Sequence, residues 1–238
     1  TLASALIAND VHLVGRSFKY HRPRGIMTAG SEEPNAIVQV NANTAYTEPN
    51  VRATEIEIYE GLVATSQNCW PNVQFDVGGI NNILSPFLPA GFYYKTFMWP
   101  ANFWEKYEYI IRHSAGLGKS PKLADPDIYD HKYIHCDVLV IGAGIAGIIA
   151  AKIAAKNNLK TLILDEKTEI GGTTIFQNSD NFKIDNKISS DWLKNEINEL
   201  KKLNNLEIKT RTSVAAYHGY NYLLARENLT DHLSKNEK

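Results

Sequence analysis

Asp137-Val-Leu-Val-Ile-Gly-Ala-Gly-Ile-Ala-Gly147 is the stretch that decides the fold. Residues 137–141 form an almost unbroken apolar run, the pattern of a parallel strand covered on both faces. Gly142, Gly144 and Gly147 then follow at G-x-G-x-x-G spacing. That spacing is a weak signal alone. Here a strand precedes it, an Ala/Ile-rich helix (145–157) continues it, and a second strand, Lys160-Thr-Leu-Ile-Leu164, closes a βαβ unit. Gly142 permits the tight turn, Gly144 lets the backbone approach a pyrophosphate, and Gly147 lets helix and strand pack closely. Ala143, Ile145 and Ala146 complete the loop, which presents backbone N–H groups and a helix N-terminus to an anion.

Asp165 ends the second strand, where a carboxylate can accept from ribose hydroxyls. Glu166 and Lys167 follow it, and Gly172 and Thr173 belong to a second glycine pair placed as in flavoproteins with two dinucleotide sites. An acid at this point disfavours a 2′-phosphate, so NADP is not expected. NAD and FAD present the same ADP half, and these residues leave both open. Asp165 is expected at a strand end, outside the core.

Toward the N-terminus the elements are short and mixed. Residues 2–8 predict a helix, 11–14, 36–40 and 51–58 predict strands, and together they suggest a small α+β domain over 1–90. Residues 91–132 form an aromatic helical linker, with Phe92, Tyr93, Tyr94, Phe97, Trp99, Phe103, Trp104, Tyr107 and Tyr109 and a helix over 101–114. Residues 133–238 open the dinucleotide domain. The chain starts at Thr1 inside an apparent helix and stops after one dinucleotide half-motif, so a longer protein is expected.

A net charge of −1 gives no field that would draw nucleic acid or a membrane, and no apolar run reaches the roughly 20 residues of a spanning helix. Two cysteines, Cys69 and Cys136, are too few for a disulfide framework or a cysteine-rich metal site; they read as packed thiols in a reducing compartment. His131 and His135 stand four apart at a strand entrance rather than on a helix, and no metal is expected there. Arg16, Lys19, Arg22 and Arg24 read as a solvated or interface loop, with phosphate contact as the alternative. No acid, base or nucleophile stands out as catalytic.

Beyond the glycine loop, longer strings carry a family resemblance: Leu13-Val-Gly-Arg-Ser-Phe-Lys-Tyr-His-Arg-Pro-Arg-Gly25, Gly91-Phe-Tyr-Tyr-Lys-Thr-Phe-Met-Trp-Pro100, Cys136-Asp-Val-Leu-Val-Ile-Gly-Ala-Gly144 and Arg226-Glu-Asn-Leu-Thr-Asp-His232. Over nearly all of its length the chain resembles the alpha subunits of heterotetrameric sarcosine oxidases. It departs from them at Ile145, where Pro is usual, and at Asn158, where Gly commonly closes the helix. The resemblance implies an N-terminal fragment of a much longer, cytoplasmic flavoenzyme subunit that binds NAD, shares an FMN with the beta subunit, and assembles with beta, gamma and delta subunits. It implies oxidative demethylation of sarcosine to glycine and peroxide, with the one-carbon unit passed to tetrahydrofolate or released as formaldehyde. An FAD-binding amine or opine dehydrogenase subunit and a vestigial assembly module are the alternatives.

The N-terminal part resembles the β-grasp domain of plant-type [2Fe–2S] proteins, which hold the cluster with C-x4-C-x2-C and a later Cys. Laid over that pattern, the four positions are Thr28, Glu33, Ala36 and Thr54. None is a thiolate, so no iron–sulfur cluster is expected. The fold expected is therefore a ferredoxin-like β-grasp domain followed by the start of a Rossmann-like domain.

Overall fold

The computed structural model describes residues 1–89, 91, 97–114, 116–177 and 182–234. They divide into two units, Thr1–Tyr129 together with the described residues from His232 onward, and Asp130–Asp231. Phe92, Tyr93 and Tyr94 of the expected aromatic belt lie outside the described residues.

The first unit opens with α1 (Leu2–Ala8), whose N-terminus is capped by the Thr1 hydroxyl accepting from the Ser4 N–H at 3.3 Å. A two-stranded ribbon follows, β1 (Gly15–Arg16) against β2 (Pro23–Arg24). Next come β3 (Ile37–Val40), β4 (Glu48–Arg52) and β5 (Ala64–Ser66), an antiparallel sheet in the order β4-β3-β5. Val38 and Val40 point inward at period two and pack with Ala3, Val14, Ala36 and Ala53 into one core.

Two strand expectations shift. Residues 11–14 are not a strand; the ribbon starts one residue later, and Val14 is instead a buried core residue whose N–H donates to the Arg24 carbonyl at 2.9 Å. The alternation over 51–58 is only partly a strand. Pairing ends at Arg52, after which Ala53 N–H turns to Ala36 O, and the carbonyls of Ala53 and Ile56 accept from the first turn of α1. Past Arg52 the alternation breaks, with Ala53 and Thr54 both buried and Ile58 exposed, because the chain is pinned to a helix terminus instead of a strand.

The basic loop is held internally. Arg16 donates to the carbonyls of Val73, Gln74 and His21, Lys19 to Pro89 O, and Arg22 to the Asn82 side chain. His21 Nδ1 lies 2.6 Å from Asp76 Oδ2, and Asp76 also accepts from the Trp70 and Gly78 N–H groups. These bonds fix 69–89, which has only single-turn helices such as α2 (Ile80–Ile83). Beyond it, the helix expected over 101–114 begins as a 3-10 turn (Ala101–Phe103) and becomes α3 (Trp104–Ser114), with Tyr107 against Phe97 and Phe103.

The second unit is built on β6 (Val138–Ile141), α4 (Ile145–Lys156) and β7 (Thr161–Leu164), the predicted βαβ unit. After α5 (Ser189–Leu200), strand β10 (Leu206–Lys209) adds in parallel, giving the order β10-β7-β6. Between β7 and α5 lies a minor hairpin, β8 (Lys183–Ile184) with β9 (Lys187–Ile188). All four residues of central β7 are buried. Ile148, Ala151 and Ala155 form the stripe by which α4 meets the sheet; the alanines let it approach closely, and Trp192, Leu193 and Leu200 of α5 complete that core. Asn158 takes φ +60°, a left-handed turn that Asn tolerates. An antiparallel hairpin, β11 (Thr212–His218) and β12 (Tyr222–Glu227), ends the unit. Among the described residues no helix is long and apolar enough to cross a membrane.

Candidate dinucleotide site

The carboxyl ends of β6 and β7 carry the glycine loop, the place where open parallel sheets bind ligands. Gly142 turns the chain out of β6 at φ +92°, and its N–H donates to Leu164 O at 2.8 Å. Gly144 is the N-cap of α4, in extended backbone and with no side-chain cap. The first turn of α4 holds no acidic residue, so the helix N-terminus is left with orphan donors and a positive dipole end.

The three glycines differ in what a Cβ would meet. At Gly147 it would sit 1.9 Å from the Gly142 carbonyl oxygen, so glycine is required there by the protein itself. At Gly144 it would meet nothing within 4 Å. Protein packing therefore does not demand glycine at 144. The open cradle beside an uncapped helix terminus fits a pyrophosphate, and the residues present fit the ADP half of a dinucleotide.

Asp165 stands differently from the expectation. It is 7% exposed, and both carboxylate oxygens are engaged: Oδ2 accepts from Ala143 N–H at 2.5 Å and Oδ1 from Lys167 N–H at 2.8 Å. Its main chain is tied too, to Lys209 O and Thr212 N–H. Asp165 thus shapes the loop besides facing it; the sequence shows the acid but not these bonds, since the Ala143 N–H comes from 22 residues upstream. Glu166 is exposed and Lys167 half-buried, its ammonium 5.4 Å from the Phe176 ring centroid. The second glycine pair joins the loop: Gly171 N–H donates to Ala143 O at 2.8 Å, and Gly172, at φ +58°, would bring a Cβ to 3.0 Å from Gly144 Cα. Thr173 is exposed, while Thr174, which sequence reading passed over, is buried with its hydroxyl unpartnered. The polar hollow lined by His135, Cys136, Lys160 and Asn205 lies at the opposite strand ends and does not belong to this site.

Two family models match parts of the chain. Residues 137–232 match the FAD dependent oxidoreductases, and residues 1–69 the 2Fe-2S iron-sulfur cluster binding domain. The sarcosine oxidase alpha subunit of Rhizobium meliloti is 50% identical over 98% of the chain, and that of a Corynebacterium species 32% identical over 98%. Over nearly its whole length the chain is similar to sarcosine oxidase alpha subunits. It spans 23% and 19% of those two subunits' lengths. L-proline dehydrogenase from P. horikoshii shares the fold, with a TM-score of 0.52, 18% identity, and coverage of 94% of this chain and 32% of that one.

These findings correct the cofactor expectation on two counts. Where the sarcosine oxidase resemblance implied NAD and a shared FMN, the matching family is FAD-dependent. The loop could not reveal this, because the ADP half is common to both dinucleotides. Where no iron–sulfur cluster was expected, the first 69 residues match a cluster-binding domain family. The expectation rested on four side chains, whereas the domain match extends over residues 1–69.

The donors at those four positions do not themselves fit such a cluster. Thr28, Glu33, Ala36 and Thr54 do gather around one loop, but they offer a carboxylate, two hydroxyls and a methyl group, none a soft ligand for iron. Cys69, the one cysteine in the matched stretch, has its thiol pushed up by burial and then by the nearby Asp76, with Arg16 opposing. No group of three or more His, Cys, Asp or Glu able to hold a metal ion occurs among the described residues.

Proposed function

We propose that residues 133–238 open the FAD-binding domain of a sarcosine oxidase-like flavoenzyme subunit, with 1–90 a β-grasp domain and 91–132 the aromatic linker between them. The observation that carries this reading is the space in front of Gly144: a glycine that packing does not need, at an uncapped helix N-terminus, facing nothing within 4 Å. The N–H groups of the loop and of the first turn of α4 would hold the pyrophosphate. Asp165, already oriented by Ala143 and Lys167, keeps lone pairs for the adenosine ribose. When bound, FAD would supply two-electron oxidation of an amine C–N bond. This chain's residues would bind and orient its ADP half.

The 50% identity to a sarcosine oxidase alpha subunit supports sarcosine as the substrate of the whole protein; the family resemblance implies beta, gamma and delta partners, with the one-carbon unit passed to tetrahydrofolate or released as formaldehyde. Free Cys69 and Cys136 suit a reducing, cytoplasmic location. The test is extraction and mass analysis of nucleotides from the purified full-length protein and its Gly144→Val variant. FAD in the parent and its loss from a folded Gly144→Val variant are expected. A parent that neither carries nor takes up FAD, or a variant with parental FAD content, would overturn the assignment.

A further inference from the structure

The loop from Gly25 to Ala36, between β2 and β3, closes on a carboxylate of its own. Glu33 is 1% exposed. Its Oε2 accepts from the N–H groups of Met27 at 2.8 Å and Thr28 at 2.7 Å, and its Oε1 from those of Asn35 at 2.8 Å and Ala36 at 3.1 Å. Donors from both ends of the loop thus converge on one side chain. Gly30 turns the loop's tip at φ +85°, and its carbonyl accepts from the Thr54 hydroxyl at 2.6 Å, while Arg52 donates to the Glu33 carbonyl at 3.1 Å.

Buried carboxylates without partners cost several kcal/mol and become neutral, while one accepting several backbone N–H bonds stays charged. Glu33 is the second kind. Burial pushes its carboxyl up, but bonds from Thr28, Asn35, Met27 and Ala36 outweigh that and hold it below its ordinary value. The same loop carries three of the positions over which the plant-type cluster motif lies, 28, 33 and 36. Iron–sulfur clusters bound by four thiolates are themselves anionic and take hydrogen bonds at sulfur. A ring of inward N–H groups is suited to any compact anion.

We propose that Glu33 is a built-in anion around which the 25–36 loop is ordered, a carboxylate supplied by the chain to a nest of backbone donors in the loop that, in the plant-type motif, wraps a cluster. The loop's shape is then set by the chain's own charge.

The test replaces Glu33 in the full chain and reads amide hydrogen exchange of the 25–36 peptide together with thermal melting. Glu33→Ala leaves four buried donors unpaired and a cavity the size of a small carboxylate. Amides 27, 28, 35 and 36 should exchange about tenfold faster or more. Sodium formate should restore their protection and the melting temperature in Glu33→Ala, and do neither in the parent. Glu33→Gln fills the same space but turns an NH2 toward two donors, so it should lose protection and gain nothing from formate. Should Glu33→Ala fail to fold without formate and fold with it, the proposal stands. Parental protection in Glu33→Gln would overturn it, as would an unprotected Glu33→Ala loop that formate does not restore.

Discussion

Substituting alanine at Gly147 and at Gly144 separates what the fold needs from what the ligand needs. Both sites lie within four residues of one another on the same loop and helix turn, and both change by one methyl group. At Gly147 that methyl would lie 1.9 Å from the Gly142 carbonyl oxygen and 3.1 Å from its carbon. Both are backbone atoms of the turn leaving β6, and Gly142 is itself held by Leu164 O. The contact can be relieved only by moving α4 off the sheet or by opening the turn. Overpacking of a well-packed site costs about 1–3 kcal/mol, and a backbone obstacle puts this case near about 3. At roughly 4–8 °C per kcal/mol for a unit of this size, the melting temperature should fall by about 12–24 °C. At Gly144 the methyl meets nothing, and the extended backbone there suits any residue. The lost N-cap preference of Gly and the gain in backbone stiffness are each below about 1 kcal/mol and opposed, so stability should move little. Differential scanning calorimetry of the two variants, with FAD retention measured beside it, gives the comparison. A parental melting temperature for Gly147→Ala, or an equal drop for Gly144→Ala, would show that the two glycines do not serve separate roles.

Asp165→Asn should destabilise the second unit by about 1–3 kcal/mol, because one of two buried backbone donors would face an NH2; denaturant unfolding checks this, and a parental midpoint would count against the loop-shaping role. Asp76 is buried, which raises its carboxyl, yet bonds from Trp70 N–H, His21 and Gly78 N–H hold it below its ordinary value of 3.8. Its contribution to stability is therefore complete well above pH 3.8 and is lost as the pH falls from there through the lower folded value, so Asp76→Asn should flatten the acid limb of a stability–pH curve. Both thiols are pushed up by burial, so Cys69 and Cys136 should react with a thiol reagent at pH 8 more slowly than a free cysteine; equal rates would show them exposed and unperturbed.

The dinucleotide loop was legible because its signals are local: a strand, three glycines at fixed spacing and an Ala-rich helix are all read within about twenty residues. Asp165 was legible as an acid but not as a buried one, since its partner Ala143 is supplied by a different strand end. Glu33 shows the same boundary more sharply. Sequence identifies it as a missing cysteine, and only the folded loop shows four N–H groups turned toward it. The alternation at 51–58 misled for a related reason: period two in the sequence does not distinguish a ladder from a segment pinned to the start of α1. Arg16 read as a solvated cation because its acceptors, the carbonyls of Val73 and Gln74, lie nearly sixty residues away.

The strand order β10-β7-β6 also sets how the chain's entropy is spent as the second unit assembles. β6 and β7 are joined through segment 142–160, and β7 and β10 through segment 165–205, about twice as long. Loop-closure cost grows only logarithmically, so the longer connection adds about 0.6 kcal/mol and not a doubling. The shorter one encloses α4, whose helix shortens the span further, and closing it brings Asp165 to Ala143. The turn that presents the glycines is tied to β7 by the Gly142–Leu164 and Ala143–Asp165 bonds, while β10 adds on the other side of β7.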